Sequence, residues 1–281
     1  MDDDSRKSRR RMKWRTLALT LAGLLAADVI KAADVSKDLV VAADGAALMD
    51  SFSGTFLMQK NAGQRFFPAS ATKILTALLV IEAGHLDDSV TVVLEDTKVE
   101  PSSLYLKPGE IYTRRQLLYG LMLKSANDVA MTLARDNVGS VALFAEKMTK
   151  RAAELGATNS HFVNPSGLHH PQHYTTAHDL ALISRAAMQL PYFREIVRTA
   201  AFDWVSPKGI IPLHNHNKLL VRYPGCIGLK TGYTSQAQQV LVSSAIRNGQ
   251  EYLVVVLHTN RPGIWEDSIK LLDFGFVSNQ F

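Results

Sequence analysis

The sequence contains a single cysteine, Cys226, among its 281 residues. One thiol cannot form an internal disulfide, a cysteine-based zinc site or an iron–sulfur cluster. The chain also lacks a strong excess of charge, because its formal net charge is only +5. Residues 1–33 hold eight Lys/Arg against four Asp, which leaves +1 for the rest of the chain. A nearly neutral body offers no broad positive surface, so nucleic-acid binding is excluded.

The N-terminal region lacks an apolar run of membrane-spanning length. Its uncharged stretch, residues 16–27, has 12 residues, whereas a spanning helix needs about 20. A basic segment, residues 9–15, precedes this stretch, and small residues follow near Ala27 and Ala32. This order predicts that residues 1–33 form a secretory signal peptide or an uncleaved N-terminal anchor. We therefore expect export to the periplasm or the outer face of the cytoplasmic membrane, with membrane association only through an uncleaved leader.

The rest of the chain, residues 34–281, mixes strand-like and helix-like patterns. The predicted strands cover residues 39–43, 54–58, 90–94, 210–213, 240–246 and 252–257. The predicted helices cover residues 70–82, most of 113–155, 176–188 and 265–274. Strands near both ends with helices between them predict an α+β fold. We expect an antiparallel β-sheet flanked by helices, with an inserted all-helical subdomain over about residues 96–160 and a long ordered loop over residues 158–175.

Three short motifs stand in order along this part of the chain: Ser70-Ala-Thr-Lys73, Ser125-Ala-Asn127 and Lys230-Thr-Gly232. An S-x-x-K or S-x-N motif is expected about once by chance at this length, but K-T-G only about one time in twenty. Pro68 precedes the first motif, so Ser70 is predicted at a helix start with Lys73 one turn further on the same face. K-T-G precedes a strand-like segment, where its glycine permits close approach of a substrate.

These residue types suit nucleophilic catalysis. A serine hydroxyl needs a base to take its proton, and a lysine can be that base when burial and a nearby cation lower its pKa. Lys230, if it lies near Lys73, would supply such a cation. Ser125 could relay protons to a leaving amine, Asn127 could hold Lys73, and Lys230 with Thr231 could bind a carboxylate. The backbone amides of Ser70 and Tyr233 would form an oxyanion hole.

With their flanks, the motifs resemble those of the serine-type D-alanyl-D-alanine carboxypeptidases, which are low-molecular-mass penicillin-binding proteins. The resemblance covers about residues 36–276. It implies the penicillin-binding/β-lactamase-like transpeptidase fold and one catalytic domain over residues 34–281, without the second C-terminal domain of many relatives. It is carried by the segments Phe67-Pro-Ala-Ser-Ala-Thr-Lys73, Tyr105-Leu-Lys-Pro-Gly-Glu110, Asn164-Pro-Ser-Gly-Leu168 and Gly228-Leu-Lys-Thr-Gly-Tyr-Thr234.

The resemblance implies an exported enzyme that removes the terminal D-Ala from peptidoglycan stem peptides and is acylated by β-lactam antibiotics. Ser70 would form the acyl-enzyme with Lys73 as base. The second catalytic element would be Ser125 and Asn127, and the substrate would bind at Lys230, Thr231, Gly232 and Tyr233.

Two departures from the family pattern concern substrate binding. Gln238 stands where a glycine is usual, and Ile264 stands where a substrate-binding arginine is common, with Arg261 nearby. We expect no metal and no cofactor, because Pro171 interrupts the histidine-rich stretch at residues 169–178 and no paired acid completes a ligand set. His214 and His216 line the mouth of a cleft or are simply exposed.

Two other functions use the same site. One is D,D-endopeptidase or β-lactamase activity, and the other is a penicillin-binding scaffold with blunted catalysis. The sequence leaves open the balance between carboxypeptidase and endopeptidase, the stem-peptide preference, cleavage of the leader, the effect of Gln238 and Ile264, and the oligomeric state.

Overall fold

The computed structural model describes residues 39–278. The chain divides into two units, Met1–Val40 and Val41–Phe281, and the described helices and strands all belong to the second unit. The predicted signal peptide or anchor, residues 1–33, lies outside the described residues. Within residues 39–278, the helices are too short or too polar to cross a bilayer.

The strands of the main sheet come from the two ends of the described chain, and most of the helices lie between them. The strands are β1 (Gly45–Asp50), β2 (Phe56–Lys60), β3 (Ser89–Thr91), β4 (Ile111–Thr113), β5 (Ala201–Ser206), β6 (Gly209–His214), β7 (Cys226–Thr234), β8 (Gln238–Arg247) and β9 (Gln250–Thr259). The α-helices are α1 (Lys73–Ala83), α2 (Arg114–Leu123), α3 (Asn127–Val138), α4 (Val141–Glu154), α5 (Ala177–Met188), α6 (Pro191–Arg198), α7 (Leu219–Arg222) and α8 (Arg261–Ser278).

Five strands form the main sheet in the order β2-β1-β9-β8-β7, and each neighbouring pair is antiparallel. The predicted α+β fold with an antiparallel sheet and flanking helices is confirmed. The predicted helical insertion corresponds to α2, α3 and α4, and a small sheet of β3 and β4 accompanies it. β7 lies at an edge of the main sheet, so one side of its backbone is not paired with another described strand.

The first strand does not lie where the sequence predicted it. The apolar run at residues 39–43 is not a strand, and the strand begins at Gly45 instead. The backbone N–H groups of Ala42 and Ala43 donate to the carboxylate of Asp267 on α8, at 3.0 and 2.8 Å. The run is therefore held to α8 by the Asp267 side chain. Strand β1 begins six residues after the predicted start and pairs along its whole length with β9.

Other local predictions are confirmed. Thr176 caps α5 by accepting a hydrogen bond from the Asp179 N–H, which satisfies a free donor of the first turn. Asn248 and Gly249 join β8 to β9 with positive φ angles of 50° and 78°, as expected for a tight hairpin turn. The predicted loop at residues 158–175 contains only isolated bridges. The sequence missed β5, and it placed the K-T-G motif before a strand rather than inside β7.

We predict that Asp267→Ala lowers the free energy of unfolding by about 1–3 kcal/mol, because the buried amide of Ala43 and the partly buried amide of Ala42 lose a charged acceptor. Glu266→Ala is the matched control, since Glu266 is the exposed neighbour on α8, and it should change stability by less than about 0.5 kcal/mol. Urea denaturation of both variants measures the difference. Equal effects would show that the bonds of Asp267 to Ala42 and Ala43 do not stabilise the protein.

Candidate active site

A short 3-10 turn, Ala69–Thr72, presents Ser70 and runs directly into α1. Lys73 begins α1, and its Nζ lies 3.2 Å from Ser70 Oγ. The Lys73 side chain is fully buried, with 0% of its surface exposed. The two side chains of the S-x-x-K motif are therefore in contact, because three residues bring them to the same side of the turn.

The Lys73 amine is enclosed by carbonyl oxygens. Its Nζ lies 2.7 Å from Asn127 Oδ1 and 2.7 Å from the backbone oxygen of Ser166. Burial is the main cause that holds the pKa of Lys73 well below its ordinary value, and the charge of Lys230 acts in the same direction. The carboxylate of Asp128 opposes this shift. The amine thus has partners for two N–H groups in a site that disfavours its charge.

The S-x-N motif follows α2 and ends at the first residue of α3. Ser125 has a positive φ of 61°, a left-handed conformation that a non-glycine residue adopts at a cost of about 1 kcal/mol or more. Asn127 begins α3, and its Nδ2 donates to the backbone oxygen of Glu100 at 2.8 Å. This second bond leaves Asn127 Oδ1 directed at Lys73. The buried carboxylate of Asp128 accepts from Ser103 Oγ and from backbone amides of the adjoining loop.

The K-T-G motif lies in the edge strand β7. Lys230 is 1% exposed, and burial lowers its pKa to about 7. Gly232 packs against the nucleophile turn so closely that a Cβ atom there would lie 2.8 Å from the Ser70 nitrogen. Tyr233, the fourth predicted substrate-binding residue, follows on the exposed side of the strand. The glycine therefore lets β7 approach the amide of Ser70.

The loop over residues 158–175 closes the site from the other side. Gly167 has a φ of 84°, and a Cβ at this position would lie 1.7 Å from the Ala69 oxygen. His173 is buried, and its Nδ1 accepts from the Val163 N–H at 3.2 Å. Because Nδ1 carries no proton, Nε2 carries it and donates to Thr72 Oγ1 at 2.9 Å. The loop is thereby fixed to the residue that precedes Lys73.

Sequence reasoning missed this contribution of the loop. The Ser166 group that contacts Lys73 is a backbone oxygen, which no residue type reveals. His173 belonged to the stretch considered for metal binding, but burial lowers its pKa to about 3, and both of its ring nitrogens have protein partners. Within residues 39–278 no group of three His, Cys, Asp or Glu side chains is placed to hold a metal ion.

The three motifs line one cleft of about 820 Å³. Ser70, Ser125, Asn127, Thr231, Gly232 and Tyr233 all contribute to its wall. Lys218 and Arg261 add cations, and no Asp or Glu occurs among the described residues that line it. The cleft is therefore electrostatically suited to an anionic ligand.

Of the two departures from the family pattern, Ile264 lines the cleft and Gln238 does not. Ile264 is buried and lines the cleft, one turn of α8 after Arg261. Gln238 does not line the cleft, because its side chain turns back to donate to the Ser235 oxygen, and Gln239 takes its place in the wall. His216 lines the cleft as well, which settles one of the two alternatives left open for that residue.

Comparison with known proteins gives a consistent result for the chain as a whole. The model of the D-alanyl-D-alanine carboxypeptidase family matches residues 31–261. The chain is 39% identical over 236 residues to D-alanyl-D-alanine carboxypeptidase DacB2 of Mycobacterium tuberculosis, a match that covers 82% of this chain and 81% of the relative. It is 36% identical to the D-alanyl-D-alanine carboxypeptidase of Streptomyces sp. strain K15, with 93% and 96% covered.

Solved structures agree with this assignment. A penicillin-binding protein homologue from Mycobacterium tuberculosis superposes with a TM-score of 0.82 at 37% identity, covering 85% of this chain and 93% of that one. The Streptomyces K15 DD-transpeptidase superposes with a TM-score of 0.80 at 35% identity, covering 85% and 98%. On its motifs, its fold and these matches, the chain belongs to the D-alanyl-D-alanine carboxypeptidase family of serine hydrolases.

Proposed function

We propose that the chain removes the terminal D-Ala from peptidoglycan stem peptides, with Ser70 as nucleophile and Lys73 as its general base. The observation that carries this proposal is the contact of the buried Lys73 amine with Ser70 Oγ at 3.2 Å. Burial and Lys230 favour the neutral amine. A neutral amine has two N–H groups and one lone pair.

The partners of Lys73 determine how these groups are used. Asn127 Oδ1 and the Ser166 oxygen can only accept, so they take the two N–H groups. The lone pair is then left to accept the hydrogen of the Ser70 hydroxyl. This is the arrangement that a general base requires before attack.

The reaction follows from this arrangement. Ser70 Oγ attacks the carbonyl carbon of the penultimate D-Ala, and its proton passes to Lys73 Nζ. The N–H groups of Ser70 and Tyr233 stabilise the tetrahedral oxyanion. When the carbon–nitrogen bond breaks, Lys73 returns the proton to the leaving D-Ala amine through the hydroxyl of Ser125. Water then attacks the acyl-enzyme, and the shortened peptide leaves with a free carboxylate while Ser70 regains its proton.

Strand β7 provides the binding surface for the peptide. Its unpaired edge can add an extended peptide as a further strand, and Gly232 lets that peptide reach Ser70. The protonated Lys230 amine and the Thr231 hydroxyl bind the C-terminal carboxylate. Arg261 adds a positive charge from the first turn of α8.

We further propose that β-lactams acylate Ser70 and that the enzyme acts after export, outside the cytoplasmic membrane. β-Lactams carry a carboxylate beside the reactive carbonyl, so they fit the same anchor. We favour the carboxypeptidase over a β-lactamase because no Asp or Glu among the described cleft residues could activate water for rapid release of the acyl group.

We predict that Ser70→Ala lowers release of D-alanine from diacetyl-L-Lys-D-Ala-D-Ala by at least about 10³-fold and abolishes labelling by a fluorescent penicillin. Ser53→Ala is the matched control, because Ser53 is an exposed serine in the β1–β2 connection, and it should retain full activity. The measurement is D-alanine release by the full chain. Penicillin labelling of a wild-type protein that releases no D-alanine would favour the endopeptidase or scaffold alternative, and unchanged activity in Ser70→Ala would overturn the assignment of the nucleophile.

We also predict a bell-shaped dependence of kcat/KM on pH. Activity rises with pH while Lys73 loses its proton, because only the neutral amine acts as base. It falls as pH rises through about 7, where free Lys230 loses the charge that binds the substrate carboxylate. A substrate whose C-terminal carboxylate is replaced by an amide should show the acid limb without the alkaline one. The same alkaline limb with both substrates would contradict this role of Lys230.

A further inference from the structure

A second cavity of about 420 Å³ is built from the chain segments that also form the active-site cleft. We call it the Arg65 pocket. The nucleophile segment, the loop after Ser166, and the end of β7 with the connection that follows it each supply residues to both cavities. They give Ser70, Leu168 and Thr234 to the active-site cleft, and Phe67, Pro171 and Gln236 to the Arg65 pocket.

The chemistry of the Arg65 pocket suits a carboxylate attached to a peptide. The exposed guanidinium of Arg65 stacks on the ring of Tyr174, 4.3 Å from its centre. Stacking orients the planar cation, which can give two parallel N–H bonds to a carboxylate. Gln236 also lines the pocket. Asp44 also lines the pocket, but its carboxylate contacts His258 Nδ1.

The direction of the bound peptide connects the two cavities. We place the C-terminal carboxylate of the peptide at Lys230 and pair the peptide antiparallel with β7. The peptide residues before the scissile bond then lie toward Thr234, at the end of β7. The next residues beyond β7 are those of the connection that contains Gln236. Two or three extended residues span about 7–10 Å, so residues upstream of the scissile bond reach past the end of the strand.

We propose that the Arg65 pocket is an upstream subsite, in which Arg65 binds a carboxylate carried two or three residues before the scissile bond. This inference rests on the proposed function. A stem peptide can supply this carboxylate in two ways: as the α-carboxylate of a γ-linked D-glutamate or as the free carboxylate of a diaminopimelate side chain. Arg65 is thereby a specificity residue that separates acidic stems from amidated ones.

The test measures kcat/KM for D-alanine release by the full chain and by Arg65→Gln. The reference substrate is diacetyl-L-Lys-D-Ala-D-Ala, which has no upstream acid. The first comparison is L-Ala-γ-D-Glu-L-Lys-D-Ala-D-Ala against the same peptide with D-isoglutamine. The second replaces L-Lys by meso-diaminopimelate in the isoglutamine peptide. Arg222→Gln is the matched control, because Arg222 is an exposed arginine on α7 that lines neither cavity.

We expect the wild type to prefer the glutamate peptide to the isoglutamine peptide by about tenfold, as for a charge-assisted bidentate bond. Arg65→Gln should remove this preference and leave the reference substrate unchanged, and Arg65→Glu should reverse it. If the wild type prefers the diaminopimelate peptide to the isoglutamine peptide but does not prefer the glutamate peptide, the diaminopimelate side chain is the source of the carboxylate. Arg222→Gln should keep the wild-type pattern.

Three results would overturn the inference. The first is a wild type that cleaves the reference substrate but shows no preference for either acidic peptide. The second is an equal loss on all substrates in Arg65→Gln, which would show a general effect on the site. The third is the same loss of preference in Arg222→Gln. A wild type that releases D-alanine from none of the peptides would instead overturn the proposed function, and the inference with it.

Discussion

The site depends on one buried amine and on the carbonyl oxygens around it. Lys73 Nζ contacts three groups: Ser70 in the turn that precedes α1, Asn127 at the start of α3, and the Ser166 oxygen in a loop almost a hundred residues further along the chain. An amine without water must find its partners within the protein, because an unpaired polar group in the interior is unstable. The helical insertion, the loop and the nucleophile turn therefore have to converge on Nζ, and the orientation of Ser70 follows from that convergence.

The same burial has a cost for the fold. The pKa values of Lys73 and Lys230 both lie below those of an exposed lysine, so the unfolded chain binds protons more tightly than the folded one. The penalty is fully present at a pH below the folded pKa, and it disappears as the pH rises toward the pKa of a free lysine. The packing of helices and strands in the core compensates for this destabilisation. The charge of Asp128 offsets part of it for Lys73.

The sequence predicted the features that depend on local patterns. Helix α1 follows from apolar spacing, the β8–β9 turn from Asn248-Gly249, and the contact of Ser70 with Lys73 from one helical turn. Features that depend on partners distant in sequence were not predictable. The run at residues 39–43 is as apolar as β1, but its Ala42 and Ala43 amides bond to Asp267 whereas β1 pairs with β9, and both partners are distant in sequence. The Ser166 oxygen and the tautomer of His173 have no signature in residue type, since both arise from how the loop meets the nucleophile turn.

The position of β7 at the sheet edge has a consequence for the behaviour of the protein in a crowded compartment. A bare edge strand can pair with an edge of another molecule and start aggregation. Here the turn that carries Ser70 stands against Gly232, and the loop around Gly167 packs on that turn. These neighbours stand beside β7, and they obstruct the broad approach of a second sheet. The geometry that admits a peptide for cleavage thus also protects the molecule from polymerising through the same edge.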